Sequence, residues 1–197
     1  MVVCGVGGQG VLLASRVLCE AAMITDLPVV SGEVRNMAQR GGTVIATVAL
    51  GGARSTILPR GGADVVLGFE PMETARMMEY IGPGTLVITN TRPVVPFTLS
   101  VQGKPYPPLE SLLAPVREAC KKLVTLDATT TAVKLGSARV LNTVMLGALA
   151  AHSSLPIESA VIEKIIAENS PEKLVKINVA AFRAGAQTAA SAGKNES

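Results

Sequence analysis

The stretch VVCGVGGQGVLLASRVL, residues 2–18, decides how this chain is read. A short apolar run, Met1–Cys4, has the character of a first strand. Gly5-Val6-Gly7-Gly8-Gln9-Gly10 follows it, and then a segment from Val11 to about Ala22 in which only Ser15, Arg16 and Glu20 are polar. A helix that apolar is buried on most sides. The six residues between strand and helix match G-x-G-x-x-G in its proper setting. Glycines there permit a tight turn and close approach of a ligand, and the helix N-terminus offers N–H groups to an anion.

Working outward, extended and helical segments alternate. Pro28–Val34 is a second extended stretch, and Thr43–Leu50 (TVIATVAL) is β-branched and bounded by glycine pairs at 41–42 and 51–52, the clearest strand in the chain. Arg54–Leu58 is placed to return beside it as a hairpin partner. Asp64–Phe69 gives another buried strand, and Pro71 opens a helix over PMETARMMEY. After Gly82-Pro83-Gly84, Thr85–Thr89 resumes a strand. Residues 91–108 carry Pro93, Pro96, Pro105, Pro107 and Pro108, with Pro115 just beyond, and read as a long irregular excursion. Leu109–Cys120 reads as a helix and Leu123–Leu126 as a last strand. From Ala128 the pattern is helical, with Arg139–Ala151, Ile157–Glu168 and Glu172–Ala190 as the main segments and SAGKNES as a frayed tail. The expected architecture is α/β, three-layered, with a mixed, mostly parallel sheet and a helical C-terminal third. One domain over residues 1–190 and a flexible tail over 191–197 are expected.

Composition narrows the function. The chain has 197 residues, 48% of them hydrophobic and 17% charged, enough to build a core and too apolar for disorder. Its 18 Lys and Arg against 15 Asp and Glu are scattered, and 3% aromatics leave no stacking platform, so nucleic acid is not expected as a partner. A mean hydropathy of +0.41 raises the membrane question. No run of eighteen uninterrupted apolar residues answers it, and the start lacks the cationic lead of a signal peptide. Such a surface fits burial against a partner subunit. Cys4, Cys19 and Cys120 lie far apart and His152, in an expected loop, is the one histidine. That spacing excludes a self-contained zinc or iron–sulfur site and fits buried thiols in a reducing cytoplasm.

Several residues could carry chemistry. Glu33, the acidic residue nearest to the place where a dinucleotide fold reads ribose, stands among Ser31, Gly32 and Arg35 rather than at a clean strand end. Arg35, Asn36, Gln39 and Arg40 set two guanidinium forks and two amides beside the flexible pair Gly41-Gly42. Such a loop can grip a carboxylate or phosphate, or hold a carboxylate of a neighbouring chain. Glu70 and Glu73 share a helix face, where the helix dipole accounts for them, and Asp127 reads as a cap for Ala-Thr-Thr-Thr131. Walker A, G-x-S-x-G and HExxH motifs are absent, which excludes P-loop hydrolases, serine esterases and zincins.

Taken together, GVGGQG, NMAQRGG and DVVLGFEPMETAR give the chain a close resemblance to a known family. It resembles the gamma-type domain of 2-oxoacid:ferredoxin oxidoreductases, and within them the small (beta) subunit of the indolepyruvate branch. The match runs end to end: Val2–Leu18, Glu33–Val48 with its MAQRGG signature, Leu67–Arg76, Asn90, Pro96, Tyr106-Pro107, Leu141–Leu149 and Lys173–Phe182. Asn36 departs from the small residue common in that branch. The resemblance implies a subunit with no complete active site. Thiamine diphosphate and [4Fe–4S] clusters are expected in a large partner subunit. Coenzyme A is a co-substrate of the complex, and ferredoxin is reached through it. The implied reaction is oxidative decarboxylation of an aryl or other 2-oxoacid to acyl-CoA and CO2. The residues implied to contact ligand are Gly5, Gly7, Gly8, Gly10, Gln39, Arg40, Gly41 and Gly42. Two rivals stand beside this reading: a stand-alone Rossmann-like dinucleotide-binding module, and a non-catalytic scaffold that borrows the fold. A cytoplasmic location is expected.

Overall fold

The β-branched runs pair into one sheet, and the apolar helices cover both of its faces. The computed structural model describes residues 1–35, 42–52, 54–152 and 155–192. The strands are β1 (Val2–Val6), β2 (Val29–Arg35), β3 (Thr43–Leu50), β4 (Val65–Gly68), β5 (Leu86–Asn90) and β6 (Lys122–Leu126). The helices are α1 (Val11–Ile24), α2 (Pro71–Arg76), α3 (Phe97–Val101), α4 (Leu109–Ala119), α5 (Ala128–Lys134), α6 (Leu141–His152), α7 (Ser159–Glu168) and α8 (Glu172–Ala192). Single 3-10 turns lie at Met77–Tyr80 and Ala138–Val140.

The strand order is β2-β3-β1-β4-β5-β6, and every neighbouring pair on the β1-β4-β5-β6 side is parallel. Only β3 runs against the others, antiparallel to both β1 and β2. The sheet is therefore mixed and mostly parallel, as the residues predicted. The expected hairpin from Thr43–Leu50 to Arg54–Leu58 does not form. Both edges of β3 are already taken, by β1 (Val6 opposite Thr43) and by β2 (Val29 opposite Leu50), so residues 54–58 have no edge to join.

Pleating divides the core. Val3, Val65, Leu67, Ile88 and Val124 face one side and pack with α1, α5, α6, α7 and α8. Val2, Cys4, Val66, Val87 and Leu123 face the other and pack with the Met77–Tyr80 turn and α4. This alternation of side chains is the pleat of a strand buried on both faces. Helix α6 is buried from Leu141 through Leu149, as its nearly unbroken apolar sequence requires. It crosses α8 backbone to backbone: a Cβ on Gly147 would collide with the Phe182 carbonyl, and one on Gly185 with that of Val144.

Three further expectations are corrected. His152 ends α6 rather than lying in a loop, and its Nε2 sits 2.7 Å from the Ala189 carbonyl. The proline-rich excursion contains one short helix, α3. Helix α8 runs on to Ala192, so two residues of the expected tail continue it. No helix among the described residues is long and apolar enough to cross a membrane.

Candidate functional site

The chain leaves β1 toward one face of the sheet, through α1, and leaves β4 toward the other, through α2. Two neighbouring parallel strands whose connections diverge open a crevice at their carboxyl ends, the usual ligand position in open α/β sheets. The glycine segment lies there. Gly5 ends up inside β1, where a Cβ would come within 2.8 Å of both Gln9 Oε1 and Phe69 Cβ. Gly10 caps α1 at φ 85°, a left-handed conformation that strains other residues. Among the described residues no side chain caps the first turn of α1, and no acidic residue stands in it. The positive end of a fourteen-residue helix thus faces the crevice uncompensated.

Gln9 is not free for a ligand. Its Oε1 accepts from the Val6 N–H at 2.8 Å and its Nε2 donates to the Phe69 carbonyl at 3.0 Å, strapping the loop to the end of β4. Asn90, wholly buried at the end of β5, meets it there. Its Nδ2 donates to the same Phe69 carbonyl at 3.0 Å and to Thr129 Oγ1 at 3.0 Å. Its Oδ1 accepts from the Ala128 N–H at 3.0 Å. One asparagine therefore ties together the ends of β4, β5 and β6. Asp127 caps α5 as read, accepting from the Thr130 N–H at 2.8 Å.

Glu70 caps α2 by accepting from the Glu73 N–H at 2.9 Å. Its other oxygen accepts from the Tyr106 hydroxyl at 2.6 Å and the Val94 N–H at 3.1 Å, which pins the proline-rich excursion over the helix. Burial, then the Glu70 carboxylate, push the Tyr106 hydroxyl well above its ordinary range. Glu73 is 2% exposed. Its Oε1 accepts from Arg76 at 2.7 Å, and Arg76 also donates to Thr43 Oγ1 at 2.9 Å. Among the described residues Glu73 Oε2 has no hydrogen-bond partner. Desolvation raises the Glu73 carboxyl, against the pull of Thr43 and Arg76. Burial likewise raises the Cys4 thiol, which lies against the Glu73 carbonyl and is no nucleophile in this state. The dipole reading fits the position of this acidic pair at the start of α2 but gives neither the Glu70 cap nor the burial of both carboxyls.

Of the residues expected to contact ligand, Gly5, Gly7, Gly8 and Gly10 lie together in the loop. Gly42 joins them, since its carbonyl accepts from the Gly7 N–H at 2.9 Å. Gln39, Arg40 and Gly41 lie outside the described residues, as does Asn36. Glu33 sits on β2, at the sheet edge and separated from β1 by β3, so it does not occupy the ribose position of a dinucleotide fold. Among the described residues no group of three His, Cys, Asp or Glu is placed to hold a metal ion. No sequence motif marks the roles of Gln9 or of Asn142, which backs the loop behind Gly10, and Asn90 is marked only by the resemblance.

Sheet order, crevice and glycine loop define an open α/β protein with a candidate site at the strand ends. The chain belongs to the pyruvate ferredoxin/flavodoxin oxidoreductase family, whose sequence profile matches residues 1–188. It is 40% identical over 188 residues to indolepyruvate oxidoreductase subunit IorB of Methanothermobacter thermautotrophicus, covering 95% of this chain and 96% of that one. With the same-named subunit of Archaeoglobus fulgidus it shares 37% over 185 residues, 94% of this chain and 92% of the relative. The fold is similar to that of the keto/oxoacid ferredoxin oxidoreductase gamma subunit of Geobacter sulfurreducens (TM-score 0.68, 22% identity, 97% of this chain and 98% of that one). It is also similar to part of the 2-oxoglutarate:ferredoxin oxidoreductase of Magnetococcus marinus (TM-score 0.72, 20% identity). There 96% of this chain covers 30% of the longer one.

Proposed function

We propose that this chain is the small, gamma-type subunit of a 2-oxoacid:ferredoxin oxidoreductase of the indolepyruvate branch, and that its glycine loop and MAQRGG segment contact coenzyme A at the edge of a shared active site. The observation that carries the reading is the near full-length identity to indolepyruvate oxidoreductase subunits. The complex would convert a 2-oxoacid and coenzyme A to acyl-CoA and CO2, passing the electrons to ferredoxin.

The donor set of this chain does not fit an iron–sulfur cluster: Cys4 is buried beneath Glu73, and all three thiols are free cysteines. The clusters, and thiamine diphosphate with its carbanion chemistry, belong on this reading to a large partner subunit. What the small subunit offers is a bare helix N-terminus and the N–H groups of Gly8 and Gly10, suited to an anionic group of a co-substrate. Gly42, bonded to Gly7, brings the end of the MAQRGG segment to the same loop. Arg40 is the cation of that segment and would take a phosphate of coenzyme A through two parallel N–H donors.

The test is Arg40→Ala in the reconstituted complex under anaerobic conditions. The KM for coenzyme A should rise about tenfold with kcat little changed, the loss of one charge-assisted contact. Weakened assembly of the two subunits would instead assign Arg40 to the subunit interface. Unchanged kinetics and unchanged assembly would refute the role.

A further inference from the structure

Behind Gly10, on the helical side of the loop and away from the crevice, lies a cavity of about 400 Å³. That is within the size range of sites for small organic ligands. Leu13 and Val17 of α1 form one wall, and Ile166 and Ile177 of α7 and α8 another. Two walls of this kind favour an apolar body over a hydrated ion.

The polar lining divides into groups that are committed and groups that are not. Asn178 is committed: its Oδ1 accepts from the Thr143 hydroxyl at 3.1 Å, and its Nδ2 donates to Ser170 Oγ at 2.8 Å. The Ser170 hydroxyl in turn donates to the Ile166 carbonyl at 2.6 Å, closing that end of α7. Asn142 is not. It is 5% exposed and lines the cavity, its Nδ2 within 3.2 Å of where a Gly10 Cβ would stand. Among the described residues no hydrogen bond reaches its amide. Glu73 Oε2 is the one fully enclosed orphan among the described residues, so the Asn142 amide is reached through the cavity, where its N–H and carbonyl groups can meet a ligand.

The electrostatics choose the partner. Arg139 stands at the rim, and its guanidinium makes no ion pair among the described residues. No acidic side chain lines the cavity. The first turns of α6, with Asn142 and Thr143, and of the 21-residue α8, with Leu174, both border it. The positive end of α6, with no acidic residue in its first turn, meets this apolar chamber, while Glu172 in the first turn of α8 offsets the dipole there.

We infer that this cavity is a second binding site, distinct from the crevice, that takes a small organic carboxylate with an apolar body. The carboxylate meets Arg139 and the Asn142 amide, and the body fills the space between α1, α7 and α8. The site does not depend on the oxidoreductase assignment, and the full-length chain alone suffices to test it.

The experiment is calorimetric titration of the full-length chain with indole-3-acetate, beside its uncharged methyl ester, with the Asn142 side-chain NH2 signals followed by NMR. The carboxylate should bind with a Kd below about 1 mM and shift those signals, the ester about tenfold more weakly. Arg139→Gln should weaken the carboxylate about tenfold and leave the ester unaffected. Leu174→Trp, at a solvent-exposed rim position, should abolish both while keeping the melting temperature. Binding that ignores the charge, or that survives both variants, would overturn the inference. So would the absence of any binding, which would make the cavity a seam for another polypeptide.

Discussion

The Phe69 carbonyl, buried at the end of β4, takes one donor from Gln9 and one from Asn90, and this double claim makes a quantitative prediction. Gln9→Ala leaves the Val6 N–H without its side-chain acceptor, while Phe69 keeps the Asn90 donor. The cost should be about 1–2 kcal/mol. Asn90→Ala strands the Ala128 N–H and opens a small void, yet Phe69 keeps the Gln9 donor. That cost should be about 2–4 kcal/mol. Only the double variant leaves the Phe69 carbonyl with neither side-chain donor. It should therefore lose about 1–2 kcal/mol more than the sum of the single losses. Urea unfolding of the isolated chain, followed by far-ultraviolet circular dichroism, measures all four corners of the cycle, provided the dependence on denaturant stays constant. Additivity within about 0.5 kcal/mol would refute the shared-carbonyl account of how the crevice is held.

Two further predictions concern the same end of the sheet. Gly8 and Gly10 both have positive φ, 96° and 85°, but an added Cβ meets nothing within 4 Å at Gly8 and lies 2.9 Å from Asn142 Cβ at Gly10. Gly8→Ala should cost about 1 kcal/mol for the backbone alone and Gly10→Ala about 2 kcal/mol beyond that; equal losses on thermal unfolding would contradict the packing argument. Glu73 is held above its ordinary value of 4.5 by desolvation, so the folded chain keeps a proton that the unfolded chain has released. Its stabilising contribution is therefore complete below 4.5 and lost as pH rises through the folded value. Glu73→Gln should gain stability relative to the parent chain as pH is raised from that region toward neutrality, read as the difference in unfolding midpoints. A difference that stays flat or shrinks would reverse the assignment.

What was legible in the residues followed from local physics. Thr43–Leu50 is a β-branched run between glycine pairs, and its strand bounds match the structure residue for residue. The strand–glycine–helix order of residues 2–18 located the crevice, and Asp127 behaved as the cap its neighbours implied. The failures are non-local. Arg54–Leu58 read as a hairpin partner because it is near β3 in sequence, but β1, some forty residues upstream, had already taken that edge. The Glu70–Glu73 pair reads in sequence as acidic residues favoured by a helix dipole, which conveys neither the Glu70 cap nor the burial; Tyr106 and Val94 fold back onto Glu70 from a proline-rich segment with no periodicity. Asn90 lies between Thr89 and Thr91, and Asn142 precedes Thr143 at the start of an apolar helix. Nothing in composition or spacing marks such a residue; its importance lies in which backbone groups the fold brings within about 3 Å, or, for Asn142, in the cavity the fold opens beside it.

The most direct measurement of the subunit assignment is affinity purification of this chain from its native host under anaerobic conditions, with mass spectrometry of what comes with it and an assay of 2-oxoacid-dependent dye reduction. The account predicts one large partner carrying thiamine-binding and cysteine-cluster motifs, and reduction that requires both coenzyme A and the 2-oxoacid. Recovery of this chain alone at native expression, without that activity, would contradict it and return the glycine loop to a free-standing nucleotide-binding protein.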